Sequence, residues 1–243
     1  MYYIGISGWN YDDFNGIFYP DDLKERDRLE FYTQKFNAVE INASFYRIFK
    51  KVVFENWYKR TPEDFVFTAK LNRQFTHKGG LKYDENLCEW FFDAISGLKE
   101  KLKVILIQLP PRLKFNKNEF LKFIKRIVKY TDKKFAIEPR NESWFKKEVY
   151  SILKDYNIAL CLANTGGRYP EVCKKTADFS YTRLHGPKEL YASQYSLSQL
   201  KEYKKKIDEL KCKENYIFFD NTAYGYAVKN AFQFQKLVKN VAY

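Results

Sequence analysis

The stretch FAIEPRNESWF, residues 135–145, places a carboxylate at the end of an apolar run. Residues 135–137 suit a strand that is buried on both faces, and Glu138 follows them directly, before Pro139, which cannot donate to a sheet ladder. A single polar residue at this point would only mark the end of a strand. The other strand-like runs of the chain therefore decide whether Glu138 belongs to a wider pattern.

Seven further apolar runs alternate with stretches of helical period. They are YIGIS (3–7), AVEI (38–41), FVFTA (65–69), VILIQL (104–109), IALCLA (158–163), FSYTRL (179–184) and YIFF (216–219). Eight short apolar strands in a chain of 243 residues predict an α/β fold, a (β/α)₈ TIM barrel, in preference to an open doubly wound sheet. The sixth unit is the weakest, because GRYPEVCKKTA (167–177) is too short for a full helix.

No repeat, low-complexity tract or flexible linker interrupts the chain, so the sequence predicts one domain over residues 1–243. Most of the strands end in polar side chains: Ser7, Glu40, Asn42, Lys70, Gln108, Glu138, Arg140, Asn164, Arg183, His185, Asp220 and Asn221. In a barrel these ends converge on the face where catalytic groups lie. Pro139 is expected to keep Glu138 extended and to hold it on the same side as Arg140.

Acid–base chemistry on a small anionic or carbonyl-bearing ligand is the function that this ring of residues favours. Glu40, Glu138 and His185 are the predicted catalytic residues, with room for a substrate between the two glutamates on strands 2 and 5. A cluster kept for ligand binding predicts that Arg183→Ala costs little stability. The predicted ligand-binding residues are Trp9, Asn42, Lys70, Gln108, Arg140, Arg183, Lys188 and Asn221.

The loops after strands 7 and 8 extend this prediction to phosphate, because barrels often bind phosphate at that position. Lys188 and Asn221 lie there, although Asn221 is equally explained as an ordinary helix cap. A salt bridge that merely closes the top of the barrel is the structural alternative for Glu138 and Arg140.

The residue inventory predicts neither a metal nor a cofactor. His77 and His185 are the two histidines of the chain, which are too few for a multinuclear zinc site of the barrel-endonuclease type. A nucleophilic serine is not indicated, since no G-x-S-x-G turn follows a strand.

The net charge of +13 allows nucleic acid as an anionic partner, but no recognition motif accompanies it. A nucleic-acid-binding or nucleic-acid-processing barrel is therefore an alternative, and a non-catalytic scaffold is a second. Loop aromatic residues such as Trp9 and Trp144 suit packing against the barrel rim more than stacking on a base. The pattern indicates no oligomeric state.

Cellular placement follows from composition. No apolar run approaches the roughly 20 residues of a membrane span, and the N-terminus MYYIGISGWN lacks the features of a signal peptide. Four separated cysteines, with no C-x-x-C pair, suit a reducing compartment. We expect a cytoplasmic protein with no membrane partner.

The ordered segments GISGWNYDDFNGIFYP, VEINASFYR, FTAKLNRQFTHKG, LIQLPPRLKF, FAIEPRNESWF, ALCLANT, YTRLHGP and FFDNTAYGYAVKNA resemble the motifs of the YecE-like family, the domain of unknown function numbered 72. The resemblance spans nearly the whole chain and implies a (β/α)₈ barrel without implying a reaction. The family's characteristic positions fall here on Trp9, Glu40, Asn42, Tyr46, Lys70, Gln108, Pro110, Pro111, Glu138, Arg140, Trp144, Arg183, His185, Gly186 and Asn221.

Two positions depart from the family pattern. Asp220-Asn221 stands where members often have an asparagine pair, and Pro139-Arg140-Asn141 stands where an aromatic-Arg-His sequence is usual. The second departure removes a histidine that a proton-transfer scheme might use.

Overall fold

Nine parallel strands form a nearly closed barrel in the computed structural model of the chain, which describes residues 1–239. This arrangement confirms the predicted α/β barrel. Neighbours in the sheet are neighbours in the chain, apart from the β1–β9 pairing that brings the two ends together. The strands are β1 (Tyr2–Ser7), β2 (Ala38–Ile41), β3 (Val66–Lys70), β4 (Leu102–Gln108), β5 (Lys134–Glu138), β6 (Ala159–Leu160), β7 (Leu162–Asn164), β8 (Phe179–Leu184) and β9 (Glu214–Phe219).

The ninth strand arises because the sixth apolar run is interrupted at Cys161. Its first part, β6, pairs with β5, and its second part, β7, pairs with β8. The amide of Cys161 still donates to the carbonyl of Ile137, at 2.8 Å. One predicted strand therefore completes the barrel by bonding to a different neighbour with each half.

Helices cover the outside of the barrel, and most follow the predicted apolar periodicity. They are α1 (Arg28–Thr33), α2 (Ala43–Tyr46), α3 (Lys51–Lys59), α4 (Glu85–Ser96), α5 (Lys117–Ile127), α6 (Lys147–Asp155), α7 (Leu197–Glu209) and α8 (Tyr226–Lys239). Residues 165–178, between β7 and β8, contain no helix, as the short segment predicted. The sequence analysis missed α3, in which Phe54 alone is fully buried.

Two apolar layers hold the structure together. The outer layer lies between strands and helices, where α5 buries Phe120, Phe123, Ile124 and Ile127. The inner layer fills the barrel with small residues on one side and aromatic residues on the other. Its members are Ala38, Val66, Val104, Leu106, Ala136, Ala159, Cys161, Ala163, Ala177, Phe179, Tyr181, Tyr216 and Phe218.

Every second residue of a strand faces the barrel interior, and toward the carboxyl ends of the strands these inward-facing residues change from apolar to polar. In β8 the inward series continues from Phe179 and Tyr181 to Arg183, and after β9 it continues from Phe218 to Asp220. The same step leads from the inner-layer residues of β2, β3, β4 and β5 to Glu40, Lys70, Gln108 and Glu138. Because all the strands are parallel, these polar ends meet at the carboxyl end of the barrel.

No helix within residues 1–239 combines the length and the apolar character needed to cross a bilayer.

Candidate functional site

Arg183, near the end of β8, is the centre of a buried ion-pair network at the carboxyl end of the barrel. Its side chain is 1% exposed, and all three guanidinium nitrogens donate hydrogen bonds. Nε lies 3.1 Å from both oxygens of Glu40, Nη1 lies 2.7 Å from Oε2 of Glu138, and Nη2 lies 3.0 Å from Oδ2 of Asp220. Arg183 therefore joins carboxylates from three other parts of the sheet.

The two glutamates that were expected to flank a substrate are bridged by this guanidinium. Nη2 of Arg183 lies 2.8 Å from Oε1 of Glu40, which also accepts a hydrogen bond from Oγ of Ser7 at 2.7 Å. The other oxygen of Glu40 accepts from the hydroxyl of Tyr181 at 2.6 Å. The expected space between Glu40 and Glu138 is wrong, because the Arg183 side chain fills it.

Glu138 is held as a carboxylate by donors on three sides. Nε2 of Gln108 and Nε of Arg140 lie 3.1 Å and 3.0 Å from Oε1, while Arg183 contacts Oε2. Burial alone would raise the pKa of Glu138, but the charges of Arg183 and Arg140 outweigh burial and hold this pKa well below its usual range. The contact also confirms that Glu138 and Arg140, on either side of Pro139, share one side of the chain.

His185 and Asp220 complete the network. Nε2 of His185 lies 3.2 Å from Nη1 of Arg183, and an arginine has donors only, so Nε2 accepts and the ring proton belongs on Nδ1. Nδ1 lies 2.8 Å from Oδ2 of Asp220. Burial would raise the pKa of Asp220, but Arg183 and His185 lower it, so an ionised Asp220 lies beside Nδ1, although the contact lacks hydrogen-bond geometry.

Lys70, the last residue of β3, is buried beside this network without joining it. Its side chain points over the ring of Phe45, with Nζ 4.1 Å from the ring centroid, and the residue is 7% exposed. Across residues 1–239 its Nζ has no hydrogen-bond or ion-pair partner. Burial, and then the charge of Arg183, lower the pKa of Lys70 to about 8, against the opposing effect of the nearby carboxylates.

Arg140 forms the neighbouring part of the rim. Nε and Nη2 are used by Glu138, whereas Nη1 makes no hydrogen bond to any residue from 1 to 239, and the side chain is 12% exposed. Its guanidinium carbon lies 4.9 Å from the centroid of the Tyr169 ring. Burial, and then the charges of Lys70 and Arg140, lower the pKa of His77 to about 4. Lys70 and Arg140 therefore both place positive charge near His77.

A cleft of about 480 Å³ lies beside the network rather than over it. It contains Trp9 and Asn42, two of the predicted ligand-binding residues. Trp9 meets Trp57 edge to face with 5.0 Å between ring centroids, and Oδ1 of Asn42 is buried with no hydrogen-bond partner among the described residues. The predicted site residues thus fall on two adjoining places, the rim and this aromatic cleft.

Lys188 and Asn221 are not brought into the ion-pair network. Lys188 is exposed, and the side-chain nitrogen of Asn221 donates to Ser193 and to Asn230 at 2.9 Å and 3.0 Å. The amides of residues 223–225 donate to protein acceptors, so the segment after β9 does not offer them to a phosphate. The expectation of a phosphate site at this turn is not supported by the structure.

Comparison with known proteins places the chain in a family. The family model described as "Protein of unknown function DUF72" matches residues 3–242. The chain belongs to the DUF72 family. It is 29% identical to the UPF0759 protein YunF of Bacillus subtilis over 98% of this chain and 95% of that protein. It is 28% identical to the UPF0759 protein YecE of Escherichia coli K12 over 45% of this chain and 38% of that protein.

Two solved DUF72 structures share the fold. The protein from Thermotoga maritima superposes with a TM-score of 0.87 at 30% identity, over 98% of this chain and 99% of that chain. The protein from Enterococcus faecalis superposes with a TM-score of 0.85 at 22% identity, over 100% of this chain and 97% of that chain.

The sequence analysis of this DUF72 chain placed Ser7 and Asp220 at the converging strand ends without giving them a role, and it missed Tyr181. Asp220, Tyr181 and Ser7 all contact Arg183 or Glu40, and none was among the predicted site residues. The signal for Asp220 and Tyr181 was present in the two-residue period of their strands. Asn221 was chosen because it ends strand 8 at the predicted phosphate-binding turn, but it alternates with the inward-facing Asp220 and its side chain donates to the carbonyl of Ser193.

Within the stretch from residue 1 to residue 239, this DUF72 chain has no group of three or more His, Cys, Asp or Glu side chains arranged to hold a metal ion. Glu40, Glu138 and Asp220 converge, but the guanidinium of Arg183 occupies the point where they meet.

Proposed function

We propose that the chain binds a small anionic molecule at the carboxyl end of its barrel and acts on it by acid–base chemistry without a metal ion. One observation carries the proposal: Lys70 and Arg140 present cationic nitrogens at the rim that no described carboxylate uses. Below them Arg183 contacts Glu40, Glu138 and Asp220, and its own nitrogens are fully used in those contacts. A phosphate or carboxylate group would therefore meet two cationic donors, Nζ of Lys70 and Nη1 of Arg140, that the described residues leave unused.

The roles within the network follow from its contacts. Glu40 and Glu138 are positioning residues in this proposal, because their oxygens are taken up by Arg183 and other donors. His185 is the proposed proton carrier, since its Nδ1 lies 2.8 Å from an ionised Asp220. Arg183 fixes the ring of His185 rather than contacting the ligand, which revises its predicted binding role.

The aromatic cleft supplies a place for the rest of the ligand. Trp9, Tyr46 and Trp57 offer ring faces and edges, and the buried Oδ1 of Asn42 offers an acceptor to an N–H or O–H group. A ligand with an anionic end and a ring, such as a sugar phosphate, fits this division. The net charge of +13 alone favours nucleic acid, and it identifies no docking surface.

Thermal melts with phosphate, sulfate, pyruvate and sugar phosphates test the binding. A ligand at about 100 times its Kd stabilises the fold by about 2.7 kcal/mol. For a chain of this size we expect Tm to rise by about 5–10 °C. Lys70→Met and Arg140→Met should each reduce this rise, whereas Lys201→Met, at an exposed position on α7, should not.

The acid–base step is tested with pyruvate or a sugar phosphate, whichever raises Tm more. In D₂O the wild-type protein should catalyse the exchange of the acidic C–H protons of that anion for deuterium. Proton NMR measures this exchange as a loss of the C–H signal. His185→Asn, which keeps an N–H donor near Asp220, should bind the anion and lose the exchange. The proposal is wrong if no anion raises Tm, or if Lys70→Met and Lys201→Met respond alike.

A further inference from the structure

Two buried lysines of the chain differ in what their amines contact. Lys101, at the start of β4, donates from Nζ to the carbonyls of Tyr58 and Thr61, both at 2.7 Å, and to Oγ1 of Thr61 at 3.2 Å. Lys70, at the end of β3, has an aromatic ring beneath its Nζ and no hydrogen-bond acceptor within residues 1–239. Lys101 has a complete structural role, and Lys70 does not.

A buried amine without acceptors costs folding free energy, because the charged form loses water and gains no hydrogen bond in return. The Phe45 ring recovers part of this loss through a cation–π contact. The neutral amine suits this position better, and its lone pair is then free. The place is also the one where barrels carry chemistry, at the carboxyl end of a strand.

The surroundings of Lys70 also set the fraction of its side chains that are neutral. Burial and the charge of Arg183 lower the pKa of Lys70 to about 8. Roughly a tenth of the side chains are then neutral at pH 7, against less than about one in a thousand for an ordinary lysine. A desolvated lysine beside other cations is the usual form of an amine nucleophile.

We propose that Lys70 is a nucleophile that forms an imine with the carbonyl group of a small anionic ketone or aldehyde. This inference rests on the proposed anion site and names its substrate class. Nζ of Lys70 attacks the carbonyl carbon, and the carbonyl oxygen gains a proton to give a carbinolamine. The C–O bond then breaks, and the two amine protons leave with that oxygen as water.

Arg140 gives this step its selectivity for anions. Its Nη1 is unused by residues 1–239, and it belongs to the same rim as Lys70, above the carboxylates that Arg183 contacts. A carboxylate or phosphate on Arg140 would hold a carbonyl group near Nζ without displacing Glu138. Uncharged carbonyl compounds lack this anchor.

Reductive trapping tests the imine in the wild-type protein. Pyruvate, glyoxylate or pyridoxal 5′-phosphate is added with cyanoborohydride, and peptide mass spectrometry measures the fraction of each lysine that is modified. We expect Lys70 to be labelled about tenfold more than Lys101, because the amine of Lys101 donates hydrogen bonds to three acceptors. Acetone, which replaces the carboxylate of pyruvate by a methyl group, should label Lys70 far less.

Variants separate this inference from the anion site itself. Lys70→Arg keeps the positive charge and cannot form an imine, so it should retain the rise in Tm with phosphate and lose all trapping at position 70. If phosphate raises Tm but none of the three probes labels Lys70 above Lys101, the imine is wrong and the anion site stands. If no anion binds, the proposed function fails on its own evidence.

Discussion

Replacing Arg183 by methionine tests whether the network at the end of the barrel is held together by its central cation. The substitution keeps most of the side-chain volume and leaves Glu40, Glu138 and Asp220 buried without their common partner. Removing one partner of a buried pair costs about 3–5 kcal/mol. We expect a loss in this range rather than a multiple of it.

The remaining hydrogen bonds explain why the loss is not three times larger. Glu40 keeps Ser7 and Tyr181 as donors, and Glu138 keeps Gln108 and Arg140. Asp220 keeps only the ring of His185 among its side-chain contacts with residues 1–239. The sequence analysis expected loss of Arg183 to cost little stability if the cluster serves ligand binding, but the saturated guanidinium favours the larger loss expected of a structural ion-pair cluster.

Urea unfolding at pH 7, followed by fluorescence and circular dichroism, measures the free energy of unfolding. Arg60→Met is the matched control, since Arg60 also makes two contacts with one carboxylate, that of Glu30, at 2.5 Å. Those side chains are 35% and 43% exposed, so the control should lose no more than about 1 kcal/mol. Equal losses for the two variants would refute the reasoning.

The pH dependence supplies a second check. The pKa values of Glu138 and Asp220 are lowered in the folded state, so their contribution to stability is fully present above the unfolded pKa of about 4 and is lost progressively as pH falls from there through the lower folded pKa. Arg183→Met removes the main cause of both shifts. The difference in unfolding free energy between wild type and variant should therefore shrink below about pH 5.

Three further predictions concern other parts of the molecule. Lys70→Met should raise the unfolding free energy at pH 7 by about 2 kcal/mol, because the folded pKa of about 8 reflects a cost of the buried charge; a lower value in urea unfolding would contradict this. Gly5→Ala should lose about 3 kcal/mol or more, since the added Cβ would lie 1.9 Å from the carbonyl oxygen of Ala38; an unchanged urea midpoint would exclude the clash. DNA should bind weakly and without preference for single or double strands near physiological salt, as measured by fluorescence anisotropy; tight, structure-selective binding would show a dedicated site.

Strand positions and their inward faces were predictable because both depend on local apolar periodicity. The eight runs became the strands of the barrel, and the parity of Glu40, Glu138 and Arg183 placed them together at one end. Helix α3 was missed because its burial rests on one phenylalanine, which gives no period to recognise. The local periodicity of the sequence therefore predicted the strands of the barrel better than the helices that cover them.

Pairing within the site was not predictable to the same degree. The sequence shows that acids and bases share one end, but the distance between Glu40 and Glu138 depends on how far Arg183 reaches across the barrel. Only the three-dimensional contacts show that the guanidinium of Arg183 bonds to three carboxylates, while Nζ of Lys70 has no partner within residues 1–239. Packing, and not the spacing of residues in the sequence, therefore determines which cation pairs with carboxylates and which does not.

The interruption at Cys161 gives the barrel a seam. Strand β6 is two residues long and β7 is three, so the closure on either side of Cys161 rests on the two shortest strands of the sheet. Local opening is cheapest where few hydrogen bonds must break together. Cys161 faces the inner layer and is hidden when the seam is shut, whereas Cys173 is exposed. The rate of alkylation of Cys161, relative to that of Cys173, would therefore report how often the barrel opens locally beside the strand that carries Arg183.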